Sequence, residues 1–196
     1  MQVTLIKIIT MIIIGITGTI GAGKGTIVEY LITHYNFTHF SVRQYLIDEA
    51  LKRNMPLNRD TYVTIANDLR SSHSPSFIID ELYKQAKELK VNAIIESIRT
   101  PGEIESLRKT DHFILFAIDA QPQTRYQRIS ERKSETDAIS FETFMQNEQR
   151  EMTSNDPNKQ NLSYCIQQAD YKFLNEGSRE DLYINIDKVM QKILQF

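Results

Sequence analysis

The chain of 196 residues is 41% hydrophobic, enough to bury one core, and a single domain is the default at this length. Its 23 basic and 25 acidic residues give a net charge of −2, which indicates neither nucleic-acid binding nor attraction to an anionic membrane. The single cysteine, Cys165, excludes an intramolecular disulfide framework and a multi-cysteine metal site, and we expect a cytoplasmic protein. The histidines lack the paired spacing typical of metal ligands.

The chain begins with an apolar run over 3–16 that Thr4, Lys7 and Thr10 interrupt. It falls short of the roughly 20 residues needed to cross a bilayer, so we expect neither a membrane span nor a signal peptide. Met11 stands immediately before the run 12–14, where the first strand is predicted. We therefore interpret 1–10 as an N-terminal extension or alternative start, and 11–196 as one domain.

Short apolar runs alternate along the chain with longer amphipathic segments, which is typical of parallel strands joined by helical crossovers. The predicted strands are 12–17, 38–41, 93–97, 113–119 and 171–175. The predicted helices are 24–34, 43–53, 59–71, 77–89, 101–109, 123–132, 141–152 and 178–194. This pattern predicts an α/β sandwich of three layers, a sheet of about five parallel strands with helices on both faces.

The segment 18–26, with the sequence GTIGAGKGT, follows the first predicted strand directly. It matches the phosphate-loop pattern G-x-x-x-x-G-K-[ST] as far as Lys24, after which Gly25 intervenes and the hydroxyl comes at Thr26. Glycines let backbone N–H groups face phosphate oxygens, and the next helix adds its positive dipole end. The loop predicts a bound nucleoside triphosphate. Its candidate binding residues are Gly18, Gly21, Ala22, Gly23, Lys24, Gly25 and Thr26.

The string Gly-Lys-Gly-Thr at 23–26 resembles adenylate kinases and other nucleoside monophosphate kinases, whereas 15–21 resembles dephospho-CoA kinase. The resemblance implies the P-loop NTPase fold with a short helical lid, ATP and Mg²⁺ as cofactors, and Thr26 as a magnesium ligand. It also implies an acceptor-binding segment at about 41–90 and a lid at about 125–155.

Two arginines, Arg128 and Arg132, are spaced i and i+4 on one helix face after the strand that ends at Asp119. They resemble the arginine pair of the adenylate kinase lid, which clamps the transferring phosphoryl group. The alternative is a solvated face paired with acids such as Glu131. Arg125 and Arg150 are further candidates for the same site.

The segment 96–100, Glu-Ser-Ile-Arg-Thr, resembles the place where monophosphate kinases hold magnesium through water and grip the acceptor phosphate. The resemblance assigns the metal to Glu96 and the acceptor to Arg99, although one position between acid and arginine is missing here. At Glu103 the family has a glutamine that reads adenine. We interpret Glu103 instead as part of a capping box with Thr100, so adenine specificity does not carry over.

The segment 39–46 resembles the place where monophosphate kinases present a hydroxyl and an arginine to the acceptor phosphate, here Ser41 and Arg43. Dephospho-CoA kinases have an aspartate there as the base for a ribose hydroxyl. Arg43 could equally pair with Asp48 or Glu49 on its own helix. Arg70 is a further candidate for the acceptor pocket.

The leading hypothesis is ATP- and Mg²⁺-dependent phosphoryl transfer to a nucleoside or deoxynucleoside monophosphate, giving a diphosphate. Lys24, Arg99, Arg128 and Arg132 are the expected catalytic residues, because this chemistry needs positioning and charge stabilisation. The alternatives are a dephospho-CoA kinase, which the chain's ending at 169–178 resembles, and a non-catalytic nucleotide-binding regulator. We expect a small-molecule nucleotide partner, with no nucleic acid or membrane. The acceptor base and sugar, the choice of ATP or GTP and the oligomeric state stay open.

Overall fold

The computed structural model describes residues 11–110, 112–132 and 139–195. The interpretation of 1–10 as an extension falls outside these residues, as does the middle of the expected lid at 133–138. Within them, the strands are β1 (Ile13–Gly18), β2 (Thr38–Phe40), β3 (Ala93–Glu96), β4 (Phe113–Asp119) and β5 (Tyr171–Leu174). The helices are α1 (Lys24–Tyr35), α2 (Val42–Lys52), α3 (Arg59–Ser72), α4 (Phe77–Leu89), α5 (Pro101–Leu107), α6 (Pro122–Glu131), α7 (Phe141–Met152), α8 (Leu162–Gln167) and α9 (Arg179–Leu194).

The five strands form one parallel sheet in the order β2-β3-β1-β4-β5. β1 lies at the centre and pairs with β3 on one side and β4 on the other, with Gly15 opposite both Ile95 and Leu115. The chain first builds the sheet to one side of β1 and then crosses to the other. Ligands of open parallel sheets bind at such a switch point, at the carboxyl ends of the strands.

Side chains alternate between the two faces of the sheet, and each face is covered by helices. Ile13 and Ile95 belong to the core beneath α2, α3 and α4, whereas Ile14 and Phe116 belong to the core beneath α1 and α9. Every residue of β1 is buried. The predicted three-layer α/β fold with five parallel strands is confirmed.

Several element ends differ from the sequence-based bounds by one or two residues, and two differences have a clear physical reason. β2 ends at Phe40, because Ser41 instead caps α2 by accepting a hydrogen bond from the Gln44 backbone N–H. The helix α8 was not predicted, since six residues are too few to show a helical period. It buries Cys165 completely, and this burial raises the pKa of the thiol to about 12.

Candidate active site

The phosphate loop joins β1 to α1 at the switch point of the sheet, and its geometry requires glycine at positions that include Gly21 and Gly23. Gly21 and Gly23 have φ angles of 77° and 107°, in the left-handed region. A Cβ atom on Gly21 would lie 2.5 Å from the carbonyl oxygen of Arg125, and one on Gly23 would lie 2.4 Å from Nδ2 of Asn175. Larger residues would therefore push the loop away from α6 and from the end of β5.

Lys24 is half-buried and turns back into the loop, where its Nζ donates to the carbonyl oxygens of Gly18 at 2.9 Å and Thr19 at 2.8 Å. Burial, followed by the nearby Arg99, lowers the pKa of Lys24 to about 7. Near pH 7 only part of the Lys24 population is therefore protonated, and a bound anion would stabilise the ammonium form. The start of α1 fits the same ligand, since no side chain caps it at Gly23 and its first turn has no acidic residue.

A cavity of about 880 Å³ opens beside the loop and runs from the start of α9 to the groove between α2 and α3. Gly25 and Thr26 line it, and a Cβ atom on Gly25 would meet no atom within 4 Å. Arginines and Lys24 outnumber the glutamates among its lining side chains. The basic residues are Lys24, Arg43, Arg59, Arg70, Arg99, Arg128, Arg132 and Arg179. The cavity thus suits a polyanionic ligand although the chain is slightly acidic overall.

The arginine pair of α6, Arg128 and Arg132, lines the same cavity as the phosphate loop. Nη2 of Arg128 donates to the carbonyl oxygen of Asn175 at 2.9 Å, while its buried Nη1 has no hydrogen-bond partner among the residues described. Arg132, at the end of α6, also lines the cavity. Asn175 in turn donates from Nδ2 to the Ala22 carbonyl oxygen at 2.8 Å, which ties the phosphate loop to the end of β5.

Arg125 lies beneath the loop and does not line the cavity. Its guanidinium donates to the carbonyl oxygens of Ala120 at 2.7 Å and Ile20 at 3.3 Å, and forms a two-pronged ion pair with Glu148 of α7. Only 3% of the Arg125 side chain is exposed. The residue therefore connects the phosphate loop to α7 from outside the cavity lining.

Arg99 enters the cavity from the segment after β3, where two oxygen acceptors hold it. Its Nη1 donates to Oε2 of Glu151 at 2.6 Å and to Oε1 of Gln160 at 2.7 Å. The other oxygen of Glu151 accepts from Nη2 of Arg59, the first residue of α3. The sequence analysis did not single out Arg59, Glu151 or Gln160, because they come from three distant elements without a local motif.

Arg70, in the last turn of α3, is paired with Glu103 in a buried ion pair beside the cavity. Its Nη2 is 2.9 Å from Oε1 of Glu103, and the two side chains are 3% and 2% exposed. Oε2 of Glu103 accepts from the backbone N–H groups of Arg99 at 2.6 Å and Thr100 at 3.0 Å. The capping box predicted for Glu103 is confirmed, so this carboxylate is occupied. Nη1 of Arg70 stays buried without a partner in the part of the chain described.

Glu96 stands at the carboxyl end of β3, facing the loop lysine. Its Oε1 accepts from Ser41 Oγ at 3.3 Å and lies 3.7 Å from Nε2 of His39. Burial raises the pKa of Glu96, but His39 and Lys24 lower it by more, so the pKa lies below the usual value for glutamate. The next residue, Ser97, has a φ of 65°, a strained conformation for a residue other than glycine.

Two further arginines have contrasting positions. Arg43 is exposed at the cavity wall, and no described contact joins it to Asp48 or Glu49, which pair instead with Gln44, Lys52 and Arg53. Arg150 is not among the residues that line the cavity and donates to Asn147 on its own helix.

The comparisons with known proteins agree with this architecture. A family model described as "AAA domain" matches residues 14–154. A UPF0200 protein of Methanococcus maripaludis is 30% identical over 187 residues, covering 94% of this chain and 98% of the relative. The chain belongs to the UPF0200 family.

Solved structures resemble this UPF0200 chain in fold. The structure of TT1252 from Thermus thermophilus has a TM-score of 0.60 at 20% identity and covers 93% of this chain and 98% of its own. Shikimate kinase from Bacteroides thetaiotaomicron has a TM-score of 0.52 at 14% identity, covering 93% and 99%. The fold is thus that of P-loop kinases. Within the residues described, no helix is long and apolar enough to span a membrane.

Proposed function

We propose that this UPF0200 protein is a kinase that transfers the γ-phosphoryl group of ATP to the phosphate of a nucleoside or deoxynucleoside monophosphate. One observation carries the proposal: the phosphate loop and an arginine-rich acceptor groove open into the same cavity. A donor and an acceptor bound there would meet beside Lys24. Holding two reactants in this way is the main contribution an enzyme makes to phosphoryl transfer.

The donor side is supported by the loop, the uncapped start of α1 and the arginines of α6. The loop N–H groups would hold the phosphates, and Lys24 would leave its two carbonyl contacts to bind the outer ones. Arg128, with one unpartnered nitrogen, and Arg132 would stabilise charge that develops on the transferring group.

The acceptor side is supported by the mixed chemistry of the groove between α2 and α3. Its wall carries the apolar side chains of Val42, Leu46, Tyr62, Val63 and Ala66. Around them stand Arg43, Arg70 and Arg99. A nucleoside monophosphate has this combination of a flat apolar ring and an anionic group, and guanidinium groups suit such an anion.

Magnesium would be held chiefly by oxygens that the ATP phosphates and water supply. Among the described residues no cluster of histidine, cysteine, aspartate or glutamate could bind a metal on its own. Thr26 would contribute its hydroxyl and Glu96 would act through water, which fits the preference of Mg²⁺ for oxygen ligands and retained waters. Bound there, the ion would neutralise charge on the phosphates.

A hydroxyl acceptor, as in dephospho-CoA kinase, would need a general base near the end of β2. Ser41 occupies that place, and its hydroxyl is used in the α2 cap and in the contact to Glu96. A phosphate acceptor is already an anion and needs no base. The absence of the aspartate at this position supports a phosphate acceptor.

The proposal is tested by incubating the protein with Mg–ATP and pooled ribo- and deoxyribonucleoside monophosphates plus dephospho-CoA, with products read by mass spectrometry. A nucleoside diphosphate formed together with ADP is the expected result. Coenzyme A as the product would move the acceptor to a hydroxyl. Bound ATP without any product across this panel would contradict the proposal and favour a nucleotide-binding regulator.

A further inference from the structure

A carboxylate among the residues that line the cavity lies between two arginines. Each oxygen of Glu151 accepts from a different guanidinium, one from Arg99 at 2.6 Å and the other from Arg59. The Glu151 side chain is only 14% exposed, whereas Arg59 and Arg99 are 33% and 22% exposed. The two cations thus surround one buried anionic group and face the cavity themselves.

The surroundings keep this anion charged. Burial raises the pKa of Glu151, but Arg99 and Arg59 lower it by more, so the pKa lies below the usual value for glutamate. Arg59 is also the first residue of α3, whose helix dipole favours negative charge at this end. Around neutral pH the place between the arginines is therefore occupied by a carboxylate.

The same place lies next to the phosphate loop. Arg59, Arg99, Glu151 and Lys24 line one cavity, and the charges of both Arg99 and Glu151 act on the pKa of Lys24. A phosphate monoester can accept hydrogen bonds from two guanidiniums as a carboxylate does, and it carries more charge. A phosphate group placed there would face the outer end of a nucleotide held by the loop.

We propose that Arg59 and Arg99 form the subsite for the acceptor's phosphate, and that Glu151 occupies this subsite as an internal anion which the acceptor displaces. The inference rests on the proposed function for the identity of the acceptor, but the subsite itself is defined by its contacts. Arg59 becomes a binding residue, and Glu151 sets how tightly the acceptor phosphate is held.

The helix that carries Glu151 has a separate anchor. Glu148, one turn earlier on α7, is paired with Arg125, which also donates to the Ile20 carbonyl oxygen of the phosphate loop. Displacement of Glu151 therefore requires its own side chain to move, while the Glu148 pair still attaches α7 to the loop. Gln160 is the second acceptor on Arg99 and would retain that arginine during the exchange.

The test is the binding of inorganic phosphate, measured by isothermal titration calorimetry. Glu151→Gln removes the competing charge while keeping the side-chain shape, and we expect phosphate to bind at least about tenfold more tightly, the scale of a hydrogen bond to a charged group. Glu142→Gln, an exposed acid on the same helix, is the matched control and should leave the affinity within about twofold. Because the charge of Glu151 also acts on Lys24, phosphate binding at the phosphate loop is separated from binding at the subsite by the Arg59 variants.

The double variant Arg59→Gln/Glu151→Gln tests whether the tighter phosphate binding of Glu151→Gln depends on Arg59. In the double variant this increase in affinity should disappear. Arg59→Gln alone should not bind phosphate more tightly than the wild type, whichever way the Glu151 variant behaves. Phosphate binding that is unchanged or weaker in folded Glu151→Gln would overturn the inference, as would a gain that survives the loss of Arg59.

These measurements need no turnover, so they are separable from the test of the proposed function. An Arg59-dependent gain without any transferred phosphoryl group would leave the subsite standing and remove the kinase proposal. Phosphoryl transfer without a gain in phosphate affinity would support the kinase proposal and overturn the subsite.

Discussion

At the scale of single residues, Lys24 is the side chain in the cavity whose chemistry depends most directly on a ligand. It is half-buried, and two carbonyl groups of its own loop hold its ammonium group. Carbonyl oxygens stabilise an ammonium less well than phosphate oxygens do, because they carry only partial charge. In the ligand-free loop the ammonium group of Lys24 is therefore poorly stabilised, and a bound nucleotide would stabilise it.

Replacing Lys24 by methionine should separate folding from function. Lys24→Met keeps the volume and removes a partly buried charge, so the thermal unfolding midpoint without ligand should be unchanged or higher. The rise in that midpoint on adding Mg–ATP should shrink sharply, and transfer should fall by roughly a hundredfold or more. Turnover at the wild-type rate in this variant would contradict the role given to the loop.

The pKa of Lys24 predicts that nucleotide binding takes up a proton. In the free protein the pKa is about 7, against 10.5 for an ordinary lysine. Bound phosphates favour the ammonium form and raise it, so a proton is taken up above about pH 7 and the affinity falls as pH rises. Calorimetry of ADP binding at about pH 8, in buffers of different ionisation enthalpy, should show this uptake. Lys24→Met should lack it, and equal uptake in both proteins would assign the proton to another group.

At the scale of secondary-structure elements, buried ion pairs join helices that are distant in sequence. Arg70 of α3 pairs with Glu103 of α5, and Arg125 of α6 pairs with Glu148 of α7. Each pair also satisfies backbone groups next to the cavity, since Glu103 accepts from the Arg99 N–H and Arg125 donates to the Ile20 carbonyl oxygen. The pairs thus position the segments that carry the site.

Removing Glu103 should be costly because it would orphan three groups at once. Glu103→Ala leaves the buried Arg70 unpaired and the N–H groups of Arg99 and Thr100 without their acceptor. We expect a loss of about 3–5 kcal/mol in the free energy of unfolding, measured by urea denaturation. Glu105→Ala, at an exposed position of the same helix, is the control and should change it by less than about 0.5 kcal/mol. A similar small change in both variants would show that the pair is not stabilising.

Sequence patterns predicted most of these elements because their signals are local. A strand, a glycine loop and a capping box each occupy a few consecutive residues, and all three were identified correctly. The subsite between Arg59 and Arg99 has no such signal, since Glu151 lies 92 residues from one partner and 52 from the other. The pairing of Arg70 with Glu103 spans 33 residues and was equally hidden, although Arg70 itself was a candidate.

At the scale of the whole molecule, the sheet brings these separate groups to one edge. β1 leads into the phosphate loop, and the segment after β3 carries Arg99. Asn175, directly after β5, holds the loop from the other side. Arginines from α2, α3, α6 and α9 then surround the space between them. A chain with a net charge of −2 thus concentrates positive charge where an anionic donor and acceptor would meet.

The fate of the γ-phosphoryl group of ATP tests this account most directly. With ATP labelled at that group and the pool of nucleoside monophosphates, we predict that the label appears in a nucleoside diphosphate much faster than in inorganic phosphate. Lys24→Met should slow this transfer by roughly a hundredfold or more. Label that stays in ATP, or passes only to inorganic phosphate, would contradict the central claim that the cavity carries out phosphoryl transfer between two nucleotides.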